Sequence, residues 1–383
     1  MLQPHDGPIG GTHYLPSTPD TCLWGRLPNR RHEPVLRVGS GETVTIDTLS
    51  HEGILEDQGR DPVGFLKQFD VPADQVLTDA RDLAASDVAH DYDADGPHVV
   101  TGPVAVAGAE PGDLLRVEVL DLLVRAPYGF ISSRHGYGAL PGEYPLTPTD
   151  TGPDGDGPRE YGTVSHFTRV LHSGGRLLGA LPYGDGRAAT FPLAPFLGLM
   201  GVAVDTDEPV HSVPPGAFGG NLDINELQVG SALYLPVQLP GAGFYAGDPH
   251  YAQGDGEVAL TALEAPLRAT LRLSVIPRAQ AGGLLGAVNG PFGETATHWL
   301  PVGLHGDLDE AMRRAVRAAV DFLVRTQGMP PQTALAYLSA AADFEVSQVV
   351  DGPANGRPHH RQRETDRPHR RRYGTDRPRH RHG

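Results

Sequence analysis

Cysteine occurs once, at Cys22, and lysine once, at Lys67, in a chain of 383 residues. A lone cysteine excludes an intrachain disulfide framework and any cysteine-rich zinc or iron–sulfur centre built from one chain, so a bound metal would have to rely on His and carboxylates. Long apolar runs are also missing. The best of them, FPLAPFLGLMGVAV, is short and broken by Pro and Gly, and no transmembrane segment is expected. The first residues, MLQPHDGPIGG, have neither a basic stretch nor an apolar core. A secretory signal is therefore not expected, and the default location is cytoplasmic. The length suffices for one large or two ordinary domains with a well-buried core.

Positive charge is scarce as well. The formal net charge is −16, which argues against nucleic acid as a partner, because phosphate binding is driven by clustered Lys and Arg. The basic residues that exist are concentrated at the end of the chain, where RPHHRQRETDRPHRRRYGTDRPRHRHG holds ten Arg against three acids. Such a segment cannot bury a core, and residues 351–383 are expected to form a disordered Arg/His-rich tail beyond a single domain of residues 1–350.

What is abundant is Gly and Pro punctuation between β-branched and aliphatic runs. EPVLRVGSGETVTIDTL, VVTGPVAVAGAEPGDLLRVEVLDLLV and GSALYLPVQLPGAGFYAGDPH all read as strands. Pro111 and Gly112 suit a type II turn, which predicts a hairpin joining Val104–Ala107 to Leu114–Leu120, with Glu110 and Asp113 as turn residues. Helix signals come late. Asp307 followed by Glu310 has the form of a capping box, Met312, Val316, Val320 and Leu323 recur on one face, and Gly328 stops the run; a second helix is expected from Thr333 to Asp343. Strands followed by helices, without βαβ alternation, indicate a mainly β fold: a β-sandwich or jelly-roll-like body with a smaller α+β part and C-terminal helices. DYDADGP and DTGPDGDGPREYG read as long loops, and the latter lacks the ligand series of an EF-hand.

One polar stretch, GDPHYAQGDGE from Gly247 to Glu257, carries more ionisable groups than a turn between two strands needs. In extended backbone, side chains at i and i+2 share a face, so Asp248 pairs with His250 and Asp255 with Glu257 as two-pronged ligand sets.

Several long motifs, in order, resemble the acetamidase/formamidase family: PHVVTGPVAVAGAEPGDLL, PFLGLMGVAV, PPGAFGGNLDINELQVGSALYLPVQLPGAGF and GDPHYAQGDGEVALTALE. CLWGRL, PVLRVGSGETVTIDTLSHEG and RHGYGALPGEYP are similar to its acetamidase branch. The resemblance runs from about Trp24 to Val350, after which the Arg/His-rich tail replaces the family's short apolar ending. It implies hydrolysis of the C–N bond of small aliphatic amides to ammonia and a carboxylate, on a mainly β fold with a bound divalent metal, zinc before calcium. The expected partners are a small amide substrate and further copies of the chain, as a homodimer or higher oligomer, with no nucleic acid and no membrane.

The residues themselves point the same way. Amide hydrolysis requires an activated nucleophile, a positive centre for the developing oxyanion and an acid for the leaving amine. A Glu/Lys/Cys or Ser-Ser-Lys site is not supported by the surroundings of Lys67 and Cys22, which leaves a metal-activated water. His250, with Asp248 two residues before it, is the leading ligand candidate; His98, at the head of a strand, and Asp223, in GGNLD, follow. If 257–264 is one regular strand, Glu257 and Glu264 stand on opposite faces, roughly 23 Å apart. Glu257 is then assigned as the general base, with Asp255 and Glu264 as further catalytic candidates. Asp47 and His51 are open between ligand, substrate contact and structural residue. The rival function is a β-sandwich of the same fold that binds metal or a small molecule without turnover; a cyclic amide substrate is a third reading.

Overall fold

The computed structural model describes residues 1–134, 136–141, 143–145, 162–281, 290–351 and the backbone of 369–376. The chain forms two large sheets whose inner faces share one core. Among the described residues, the first sheet has ten strands and places Glu42–Asp47, Leu267–Ile276, Leu114–Val124 and Ala232–Pro236 side by side. The second has eleven, with Tyr128–Arg134, Leu263–Glu264, Phe244–Ala252, Phe196–Gly201 and Gly219–Asn221 in order and Val99–Val106 paired to Phe244–Ala252. Two-residue alternation decides which side chains face in. Leu115, Val117, Val119, Leu267 and Leu271 of the first sheet meet Val104, Leu197, Met200 and Phe244 of the second, while Arg116 and Glu118 point away and pair with each other at 2.7 Å.

The turn at Pro111–Gly112 forms, with Asp113 N donating to Glu110 O at 3.0 Å and Gly112 at φ 95°. It does not make a hairpin. Val99–Val106 lies in the second sheet and Leu114–Val124 in the first, so the turn is a corner that carries the chain from one sheet to the other. Asp113 holds this corner by accepting from Glu110 N at 3.0 Å and Arg278 N at 2.8 Å.

Two short helices, Pro62–Lys67 and Thr78–Ala84, interrupt a stretch expected to be dominated by strands. The start signal is present, because Asp61 caps the first by accepting from Val63 N and Pro62 occupies its first turn. Phe65, Leu66, Val71 and Val76 cover Tyr128 and Phe130 on the outside of the second sheet. The late helices are Leu308–Gln327 and Pro331–Ala341, the first capped by the Asp307 carboxylate on Glu310 N and stopped at Gly328, φ 65°. Its buried face is Ala311, Ala315, Ala319, Phe322 and Leu323, so Leu323 lies where expected while the three alanines stand one position before the expected Met312, Val316 and Val320. Small residues are needed there because the strand Gly303–His305 passes so close that a Cβ on Gly303 would stand 2.6 Å from that of Ala315. Phe322, Leu323 and Leu338 pack on Tyr234 and Phe292.

The DYDADGP loop is irregular as expected, and most of DTGPDGDGPREYG lies outside the described residues. Within the expected disordered tail, the backbone of His369–Asp376 runs as a strand paired with His298–Pro301, Gly303–His305 and Ala342–Glu345. Among the described residues, no helix is long and apolar enough to cross a membrane.

The shared core predicts a sharp contrast between two substitutions. Leu271→Ala, at a fully buried position, is expected to cost about 2–5 kcal/mol, whereas Val229→Ala, at an exposed one, should stay within about 0.5 kcal/mol. Chemical denaturation midpoints of the two variants check this.

Candidate metal and active site

A group of buried polar side chains gathers around one strand of the second sheet. Phe244–Ala252 pairs with Phe196–Gly201 through Gly247 opposite Leu199 and Pro249 opposite Leu197. Between those pairs the chain leaves regular extension, and Asp248 takes φ 49°. The kink turns the Asp248 carboxylate over Gly198, where a Cβ would meet Asp248 Oδ2 at 2.7 Å, His250 Cε1 at 2.7 Å and Asp223 Oδ1 at 2.6 Å. A side chain at position 198 would fill the space in which these groups converge.

Asp248 and His250 come together as the spacing predicts, with Asp248 Oδ2 and His250 Nε2 3.1 Å apart. His98, just before Val99–Val106, brings Nε2 to 3.8 Å from Asp248 Oδ1. His51, in the loop after Glu42–Asp47, presents Nδ1 at 3.9 Å from both Asp248 Oδ1 and Glu264 Oε2. Asp223, at φ 50° beyond Gly219–Asn221, joins His250 and Glu257 in a set whose ligand atoms lie within 4.8 Å of one another.

The expectation that Glu257 and Glu264 lie far apart is corrected. GDPHYA belongs to the Phe244–Ala252 strand, and the chain turns only afterwards, with Glu257 at φ 46° and Leu260 at φ 112° before Leu263–Glu264 resumes the sheet. Both glutamates thereby return to the same histidine: Glu264 Oε1 is 2.9 Å from His250 Nε2, and Glu257 has a carboxylate oxygen within 4.8 Å of it, together with Asp223. Asp255 is not brought in. It is exposed and accepts from Asn225 Nδ2 at 3.0 Å, so the proposed Asp255–Glu257 pair is split by the turn.

Two imidazoles are held from behind by hydrogen bonds, and the third faces a carboxylate. His98 Nδ1 meets Ser212 Oγ at 2.9 Å, His250 Nδ1 meets Gln253 Oε1 at 3.1 Å, and His51 Nε2 faces Glu52 Oε1 at 3.3 Å. Glu52 is anchored in turn by Ser132 Oγ at 2.7 Å and lies 3.7 Å from Arg134. Gln348, from the segment after the last helix, donates to Asp223 Oδ2 at 3.1 Å while its own oxygen accepts from Asp351 N at 2.8 Å. Glu52 and Gln348 escaped the sequence reading. The signal for Glu52 was its adjacency to His51 in TLSHEG; Gln348 has none, being 125 positions from Asp223.

Burial and neighbouring charge set the protonation states in opposing directions. Burial drives His98 down to about 3, against the pull of Asp248. Burial would raise Asp248, but His250, His98 and His51 outweigh it and hold the carboxyl well below the usual range. His250 moves well above its ordinary value, because Asp248 and Glu264 overcome the burial that opposes its charge. Burial also raises Glu264, partly offset by His250, and raises Glu257 far more, where the Asp223 carboxylate adds to it. Glu52 is held at about 2: burial pushes it up, and His51, Arg134 and Ser132 prevail.

This donor set fits a divalent cation. His51 Nδ1, Asp248 Oδ1, His250 Nε2, Glu257 Oε2 and Glu264 Oε2 are buried and make no hydrogen bond, a costly condition for polar atoms that a ligand-to-metal contact removes. Imidazoles backed on one nitrogen and turned inward on the other are what metal-binding histidines require. Gly198→Ala is therefore expected to weaken divalent-cation binding by about 10–100-fold. Gly254→Ala, where a Cβ meets nothing within 4 Å, should leave binding unchanged; calorimetric titration of both variants with zinc checks the difference.

The sequence has relatives among known proteins. Residues 66–156 and 200–356 match the Acetamidase/Formamidase family. A formamidase of Methylophilus methylotrophus is 33% identical over 208 residues, covering 46% of this chain and 50% of the relative. An acetamidase of Mycolicibacterium smegmatis is 30% identical over 222 residues, covering 46% of this chain and 52% of the relative. The chain thus spans about half the length of these curated relatives. The crystal structure of an acetamidase from Bacillus halodurans superposes with a TM-score of 0.66 at 23% identity, covering 95% of this chain and 97% of that one, and has the same fold. With the family's motifs matched over more than half of its length, the chain belongs to the Acetamidase/Formamidase family.

Proposed function

We propose that this chain hydrolyses the C–N bond of small linear amides, of the acetamide or formamide kind, to ammonia and a carboxylate. One observation carries the reading: three buried imidazoles, two of them hydrogen-bonded on one nitrogen and the third facing Glu52, turn the other toward the Asp248 and Glu264 carboxylates. A divalent cation, zinc before calcium, held by these histidines with Asp248 and Glu264, would supply Lewis acidity toward an amide carbonyl and an acidified water. The family membership supports the same chemistry.

The remaining work falls to the chain's own side chains. Glu257 is the proton carrier. It is buried, its Oε2 makes no hydrogen bond, and it stands beside His250 and Asp223; with a cation offsetting the burial and the Asp223 charge that raise it, it would take a proton from water and return it to the departing nitrogen. Glu264 has its two oxygens turned to His250 and His51, and Asp255 is engaged by Asn225 on the surface, which leaves Glu257 the better placed carboxylate. A cavity of about 40 Å³ lies beside the cluster, sharing Glu52 and Glu264 with it and walled by Leu49, Leu66, Leu77 and Phe130.

Purified protein supplied with zinc should release ammonia from formamide or acetamide and lose rate as the acyl chain lengthens through butyramide. No ammonia from any of them sinks the proposal in favour of a binding protein of the same fold. Two substitutions should then fail differently. His250→Ala is expected to lose bound metal and activity together, whereas Glu257→Gln should keep metal and thermal transition and lose about a hundred- to ten-thousand-fold in rate. Loss of metal from Glu257→Gln would make Glu257 a ligand and remove it from the proton-carrying role.

A further inference from the structure

We infer that Gln348 is a positioning residue for Glu257, fixing both the turn that carries this glutamate and the Asp223 carboxylate beside it; the inference rests on the proton-carrying role proposed above. The turn needs outside support. Glu257 is at φ 46° and Leu260 at φ 112°, and the bonds closing the turn, Glu257 N to Gly254 O and Leu260 N to Glu257 O, are both 3.2 Å long. A left-handed residue other than Gly persists where its surroundings fix it. Here residues 347–349 do so. Gly256 N donates to Ser347 O and Val349 N to Gly256 O, both at 3.0 Å, which sets Gln348 in parallel register with Gly256, the residue before Glu257. Gln253 ties the same segments together, donating through Nε2 to Asp223 O at 3.1 Å and Ser347 O at 3.0 Å.

The Gln348 side chain acts on the neighbour of Glu257. It is fully buried, and its contacts fix which way the amide faces. The oxygen accepts from Val350 N at 3.1 Å and Asp351 N at 2.8 Å, so the nitrogen is the end turned to Asp223, whose Oδ2 it meets at 3.1 Å, with Asp351 Oδ2 at 3.4 Å. Asp223 then directs Oδ1 at the space over Gly198, and it has an oxygen within 4.8 Å of one from Glu257. Without the amide donor, the repulsion between two buried carboxylates at this spacing acts against fewer restraints. The hydrogen bonds of this side chain go to Asp223, Val350 and Asp351, and among the described residues none goes to an imidazole. Its loss should therefore reach the rate through Glu257 and leave metal and substrate binding alone.

The test uses the full chain loaded with zinc and reads ammonia release from formamide and acetamide together with zinc content. Gln348→Met keeps the bulk of the side chain and loses the amide. It is expected to lower kcat about 10–100-fold, with KM and zinc content as in the unaltered chain. An unchanged kcat, a changed KM or lost zinc overturns the inference. In a Glu257→Gln background the same substitution should cost no more than about a further twofold, because no carboxylate remains to be placed; any larger further loss marks action apart from Glu257 and overturns it. Should Gln348→Met fail to fold, Gln348→Asn, whose amide stops one methylene short of Asp223, is read by the same measures. Full rate or lost zinc in Glu257→Gln alone removes the proton-carrying role and the inference with it. No ammonia from the unaltered chain overturns the amidase reading as well, whereas turnover combined with the larger further loss overturns this inference alone.

Discussion

Buried carboxylates impose the constraint on which the rest of the site depends. Asp223, Asp248, Glu257 and Glu264 are withdrawn from water, and each must be protonated, paired or met by a cation. Asp248 is paired: three imidazoles surround it and keep it ionised. Glu257, with Asp223 as its neighbour, is driven the other way. The arrangement then propagates outward, since an imidazole that serves a buried carboxylate needs its other nitrogen fixed. Ser212, Gln253 and Glu52 provide this, and Glu52 requires Ser132 and Arg134, which in turn is held by Asp57. Each layer is the physical condition for the layer inside it.

The backbone bears part of the cost. Asp223, Asp248 and Glu257 sit at φ 50°, 49° and 46°, in the left-handed region where residues with a Cβ are held at roughly 1–3 kcal/mol each. Such conformations persist only where surrounding structure fixes them. Gly198 O accepts from both Leu222 N and Asp223 N, at 2.9 and 3.0 Å, and Gly256 N donates to Ser347 O at 3.0 Å next to Glu257. The strands themselves are anchored by Leu197, Met200, Phe244 and Tyr251 in the common core. A large apolar core therefore stabilises a small set of strained positions that aim carboxylates at one point.

This explains what could be read from the sequence and what could not. The fold class followed from alternation and punctuation, and Asp248 with His250 and His98 at its strand head followed from local spacing. The prediction for Glu257 and Glu264 went wrong because it assumed regular extension, and the left-handed Glu257 and Leu260 are not signalled by residue type, being neither Gly nor Asn. The Pro111–Gly112 turn was legible as a turn, yet whether a turn closes a hairpin or crosses between sheets depends on which strands pair elsewhere. His51, Glu52 and Gln348 come from loops distant in sequence. Their places in the site are decided by how the sheets pack.

That packing gives a role to Asp47, which local sequence left open. The second sheet and its connections supply His98, Asp223, Asp248, His250 and Glu264, whereas His51 arrives on the loop that leaves the first sheet after Asp47. The start of this loop is pinned by buried ionic contacts: Arg268 meets Asp47 through Nε at 2.6 Å and Nη2 at 2.9 Å, and Arg125 donates to Thr48 O at 3.2 Å while pairing with Asp79 at 2.7 Å. Replacing such a network by apolar side chains is often neutral for stability, so its presence needs another reason. Here the reason is position. Thr48 is also fixed by its N–H and Oγ1, both donating to Leu267 O at 2.8 and 2.9 Å, so the loop departs from the first sheet at one place and brings His51 to the second sheet's carboxylates. Directional ionic contacts set this alignment more tightly than apolar packing does, which makes Asp47 a residue that acts on the site through the placement of His51.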